Sequence, residues 1–117
     1  MIRGRVNSHE EPEVSITLIV QGRRRRMRAI IDTGFNGYLS VPEKLAESWY
    51  FFGHEEYEIA TGDIVEQKIF IGGIIWSNRI QEVYAVTSKA RDILIGTKLL
   101  RKNELEISFP KRKVVIR

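Results

Sequence analysis

Apolar and polar positions alternate through most of this chain, and the alternation predicts strands. Val14-Ser15-Ile16-Thr17-Leu18-Ile19-Val20 has a period of two and is rich in β-branched residues, so it reads as a strand. Gln21-Gly22-Arg23 turns the chain, and residues 24–31 read as the returning strand. Phe35-Asn36-Gly37 is another turn. Residues 38–41 predict a short strand and residues 42–49 a short helix. Pro42 suits its first position and Glu43 its first turn. Gly53 ends the aromatic stretch Trp49-Tyr50-Phe51-Phe52.

Residues 55–59 and 64–71 predict a long hairpin that turns at Ala60-Thr61-Gly62-Asp63. Gly72-Gly73 is expected to break it. Residues 74–76 and 80–86 predict two more strands, joined by Ser77-Asn78-Arg79. Asp92-Ile93-Leu94-Ile95 reads as a buried strand stopped by Gly96. A helix over 97–103 follows, with Leu99 and Leu100 facing the core. Residues 105–109 and 113–116 predict a final hairpin. Residues 1–13 are expected to be a mobile N-terminal segment, with Glu10, Glu11 and Glu13 in solvent. Many short strands and two short helices predict one all-β domain over 1–117, a closed barrel or a sandwich.

Composition narrows the chemistry. The 117 residues are 43% hydrophobic, enough for a real core in one domain. There is no cysteine, which excludes disulfides and thiolate metal sites. With only His9 and His54, no metal site is expected. No apolar run is long enough to span a bilayer, and Met1-Ile2-Arg3-Gly4-Arg5 lacks the apolar core of a signal peptide. A cytoplasmic address is therefore expected.

The net charge is +4, but it is unevenly spread. Residues 1–28 hold seven arginines and three glutamates, and residues 98–117 hold seven basic and two acidic residues. Residues 29–97 hold five basic and ten acidic residues. Basic ends can mark a nucleic-acid surface, most visibly Arg23 to Arg26 and Lys111-Arg112-Lys113. An aromatic platform for single strands does not accompany them. Solvated strand faces explain such runs more simply, so a nucleic-acid partner is not expected.

One tripeptide stands apart. Asp32-Thr33-Gly34 follows Arg28-Ala29-Ile30-Ile31 and places a carboxylate at the end of an apolar strand. Desolvating it is costly unless it is paired, hydrogen-bonded or protonated. Taken alone, Asp-x-Gly is also ordinary turn chemistry. Beyond it come the hairpin tipped by Gly62, then Ile93-Leu94-Ile95-Gly96, then the helix with Leu99-Leu100.

In this order of elements the chain resembles the retroviral-type aspartic proteases, and in outline their small prokaryotic members. The resemblance runs from about Val14 to Ile116 and implies a closed-barrel-like acid-protease fold. It implies Asp32 as catalytic carboxylate, with Thr33 bonding across a dimer axis and Gly34 permitting the tight turn. Thr61, Gly62 and Asp63 would form a flap tip over an extended peptide, and Gly37 and Tyr38 would line the cleft. Gly96 would let the apolar strand pass close behind the Asp32 loop. No cofactor is implied.

Peptide hydrolysis of this kind needs two carboxylates sharing one proton. Asp63 and Asp92 are the only other aspartates, and neither sits in a second copy of the motif. The resemblance therefore implies a homodimer that pairs Asp32 with itself, since a two-fold interface is isologous. Phe35 departs from the family, which places a small or hydroxyl residue there. Without a hydroxyl bond to the carboxylate, the pair is expected to work nearer neutral pH than pepsin does. Two other readings fit the same residues: a non-catalytic dimeric or peptide-binding module of this fold, and a basic nucleic-acid-binding barrel.

Overall fold

A computed structural model describes Met1–Arg117. Ten strands and two one-turn helices follow in the order β1 (Ile2–Val6), β2 (Pro12–Val20), β3 (Arg23–Ile31), β4 (Leu39–Pro42), α1 (Glu43–Ala46), β5 (Tyr50–Glu58), β6 (Ile64–Trp76), β7 (Arg79–Ser88), β8 (Ile93–Ile95), α2 (Thr97–Leu100), β9 (Leu105–Ser108) and β10 (Lys113–Ile116). They form one sheet in the order β5-β6-β7-β4-β8-β3-β2-β1-β10-β9. A short β6–β2 pairing, Thr17↔Ile75 to Ile19↔Gly73, curls the sheet back on itself. The fold is thus all-β, a ring of strands rather than a regular closed barrel. No helix is long and apolar enough to cross a membrane.

The alternation read from sequence is the alternation the core uses. Val14, Ile16, Leu18 and Val20 of β2 point inward, where they join Ala29 and Ile31 of β3 and Ile93 and Ile95 of β8. Leu39, Val41, Leu99 and Leu100 complete this side of the core. Gln21 and Gly22 both have positive φ (54° and 72°), as a two-residue hairpin between right-twisted strands requires.

Three expectations are corrected. Residues 1–13 are not a loose segment: β1 pairs with β10 from Ile2↔Ile116 to Arg5↔Lys113, and its end pairs with β2. Glu13 is buried, at 7% exposure, because its carboxylate is held by Arg5 at 3.0 Å and Arg28 at 3.5 Å. Both partners come from strands flanking β2, which offsets the cost of burying the charge. Gly72-Gly73 does not break the hairpin strand, since β6 runs through both. The glycines make room instead. A Cβ on Gly72 would lie 2.5 Å from the Trp49 ring, and one on Gly73 would lie 3.0 Å from Ile19. Trp49 is pinned there by its Nε1–H, which donates to the Ile19 carbonyl at 2.7 Å. Both helices are also shorter than expected, and β5 starts already at Tyr50.

The last strand is locked at its end. Arg117 N donates to Glu104 O at 2.9 Å, and its guanidinium donates to Glu106 at 2.7 Å. That hydrogen bond, then the Arg117 charge, hold the Glu106 carboxyl below its ordinary value. A depressed carboxyl stabilises the fold above its unfolded pKa, near 4.5, and the contribution is lost as pH falls through the folded value. Carboxyl NMR titration should show the Glu106 pKa rise towards 4.5 in Arg117→Ala.

Candidate active site

Asp32 leaves the end of β3 where the pairing around β8 switches from parallel to antiparallel. β8 lies between β3 and β4, parallel to β3 (Ile31↔Ile95) and antiparallel to β4 (Leu39↔Ile95). The chain from Asp32 to Tyr38 must therefore loop over the end of β8. Four backbone hydrogen bonds fasten it there. Asp32 N donates to Ile95 O at 3.0 Å, and Gly96 N donates to Tyr38 O at 3.0 Å. Thr97 N donates to Phe35 O at 2.9 Å, and Lys98 N to Gly37 O at 3.1 Å.

Within the loop, the Asp32 carboxylate accepts a 2.9 Å bond from Gly34 N, and Phe35 N donates to Asp32 O at 3.1 Å. Such a turn fixes the side chain through its own backbone, so one carboxylate oxygen is oriented without help from another element. Asp32 is half-buried, while Thr33 and Gly34 are exposed. The loop is rigidly mounted and its tip faces outward.

Gly96 lies directly behind it. An added Cβ would sit 2.1 Å from Gly37 O and 2.7 Å from the Phe35 ring. Phe35 fills the space between Gly37 and Gly96, for a Cβ on Gly37 would also meet its ring at 2.5 Å. Phe35 is therefore a packing residue of the loop. Gly37 serves the same packing.

Tyr38 directly precedes β4 and packs against the core. It lines a cleft of about 400 Å³ with Trp76, Val83, Tyr84 and Leu99. Asp32, Thr33 and Gly34 do not line this cleft. The hairpin tip is self-contained: Ile59 N donates to Asp63 O, Gly62 N to Ile59 O, and the Thr61 hydroxyl to Asp63 Oδ2. Gly62 has φ 88°, which the tight turn requires and which other residues adopt at a cost. The tip residues are exposed, and their hydrogen bonds stay within the hairpin.

The sequence singles out Asp32, Gly34 and Gly96 but does not show how they are joined. The anchors are backbone groups of Ile95, Phe35, Gly37 and Tyr38, which carry no side-chain signature. The one available signal was the apolar triplet before Gly96.

The fold has known counterparts. The simian foamy virus (mac) protease superimposes with a TM-score of 0.58 at 17% identity, over 74% of this chain and 91% of that one. The foamy viral protease-reverse transcriptase matches in two complexes. With an RNA/DNA hybrid the TM-score is 0.57 at 15% identity over 80% of this chain, and with double-stranded DNA it is 0.56 at 14% over 79%. Those matches span 13% and 15% of the longer chains. No protein-family model and no curated protein matches at the level of sequence. The chain has the retroviral-protease fold.

Proposed function

We propose that two copies of this chain form an aspartic endopeptidase, with one Asp32 from each at a shared two-fold axis. The observation that carries the reading is the mounting of Asp32. Its carboxylate sits at an outward-facing loop tip, anchored from behind by Ile95–Lys98, and its one intrachain hydrogen bond comes from Gly34 N. The first copy thus supplies half of a carboxylate pair and leaves the other half to a partner.

Two carboxylates brought together cannot both ionise readily, so the pair holds one proton and titrates as a unit. The ionised member removes a proton from water, which attacks the peptide carbonyl. The protonated member donates to the carbonyl oxygen, and the tetrahedral intermediate collapses when the amine nitrogen takes up a proton. No covalent intermediate with the enzyme forms. The β5–β6 hairpin, with Thr61, Gly62 and Asp63 at its tip, acts as the lid that excludes water. An extended substrate pairs its backbone with strand edges beside the loop.

Peptidase activity is then a property of the dimer. Specific activity on a peptide library should rise with protein concentration through the range in which sedimentation shows dimers forming. Undiminished cleavage by a protein that sediments as a monomer would overturn the reading.

A further inference from the structure

The strand order gathers cations that are far apart in sequence. Adjacent strands β3, β2, β1 and β10 pair Arg28↔Ser15, Glu13↔Arg5 and Arg5↔Lys113, so these positions share one face. The period of two adds Arg24, Arg26 and Arg3 to it. All six cations are exposed. Glu13, the buried carboxylate between Arg5 and Arg28, answers one charge. Glu106, across β10, is already engaged by Arg117. Arg24 and Arg26 have no carboxylate in ion-pair contact: the chain's ion pairs use Arg5, Arg28, His54, Arg112 and Arg117. Because β8 covers only Ala29–Ile31, the outer edge of β3 before Ala29 also presents unpaired backbone N–H groups.

We propose that this face binds the phosphate backbone of a nucleic-acid duplex, without regard to base sequence. Five of the six cations are arginines, whose planar forks match phosphate oxygens better than a lysine ammonium does. Arg24, Arg26 and Arg28 recur every ~6.6 Å along the strand. Ser15 and Thr17, between the rows, add hydroxyl donors. The face has no exposed aromatic side chain on which unpaired bases could stack. Among these cations there is also no large exposed apolar side chain of the sort that enters lipid; those lie mainly on β5, β6 and β7. Arg24 and Arg26 stand well away from the proposed peptidase centre, since Arg26 is six residues, or ~20 Å of strand, from Asp32 and Arg24 is farther still.

Fluorescence anisotropy of the full chain with a labelled 20-base-pair duplex of arbitrary sequence tests this. Six cations less the Glu13 charge give five phosphate contacts, and so a log–log salt slope of about −4.5. Affinity should fall about 500-fold between 50 and 200 mM salt. In Arg24→Ala/Arg26→Ala the slope should drop to about −2.7 and the loss to about 40-fold. Both residues are exposed, and a circular dichroism melt matching wild type confirms the fold. Peptide cleavage, where present, should be unchanged in this variant. No duplex binding at 50 mM salt, or an unaltered slope in the double variant, would overturn the proposal. Retention on phosphatidylserine vesicles with no duplex binding would overturn it in favour of a lipid surface.

Discussion

Asp32→Asn should abolish peptide hydrolysis while leaving the fold in place. The amide keeps the size of the carboxylate, and its oxygen can still accept the Gly34 N–H bond that shapes the turn. What it cannot do is take a proton from water. Loss of a positioned general base costs on the order of 100-fold to 10,000-fold in rate. The melting temperature should stay near wild type, which separates lost chemistry from lost structure. Mixing adds a second readout. If subunits exchange freely, an equal mixture with Asp32→Asn leaves half of the wild-type chains in mixed dimers, so cleavage per wild-type chain should fall to about half. Cleavage unaffected by the substitution would remove Asp32 from the chemistry. Cleavage unaffected by mixing would remove the partner.

Gly96→Ala should be among the most damaging single-methyl additions in the protein. The residue is extended (φ −96°, ψ 174°), so its backbone angles suit alanine and the effect is purely spatial. The new Cβ would fall 2.1 Å from Gly37 O and 2.8 Å from Gly37 C, both backbone atoms of the Asp32 loop. A side chain could rotate away, but this backbone cannot. Either the loop or the start of α2 must move, which weakens the bonds from Gly96 N, Thr97 N and Lys98 N. Overpacking costs ~1–3 kcal/mol and each lost bond about 1 kcal/mol more. A destabilisation of about 3 kcal/mol is expected, read as a lower urea midpoint at constant slope. Gly53→Ala, whose Cβ meets nothing within 4 Å, is the matched control. Equal midpoints for the two variants would mean that the loop yields easily.

Much of this fold was legible in the sequence, because most strands carry their burial pattern in the open. Val14 to Val20 alternates, and the structure buries every second residue. β1 escaped notice because Ile2-Arg3-Gly4-Arg5-Val6 offers only two apolar residues of its own and pairs with a strand more than a hundred residues away. Gly72-Gly73 misled because a glycine pair ordinarily signals a turn, whereas here it is shaped by Trp49 and Ile19. At the site, the acid and the two glycines were readable as residue types. Their connection was not, since backbone carbonyls do the fastening. The basic face was half visible as Arg23 to Arg26. Arg3, Arg5 and Lys113 joined it only through strand order.

The mounting of the Asp32 loop also sets an order of events during synthesis. Its backbone partners Ile95 and Gly96 to Lys98 follow the groups they bond by 58 to 63 residues. Until that stretch leaves the ribosome, the loop has only its own Gly34 turn to hold it. Closing so distant a contact is slow compared with zipping the adjacent β2–β3 hairpin. The loop is thus among the last parts of the nascent chain to take shape, and a chain halted before Ile95 carries Asp32 without the scaffold that aims it.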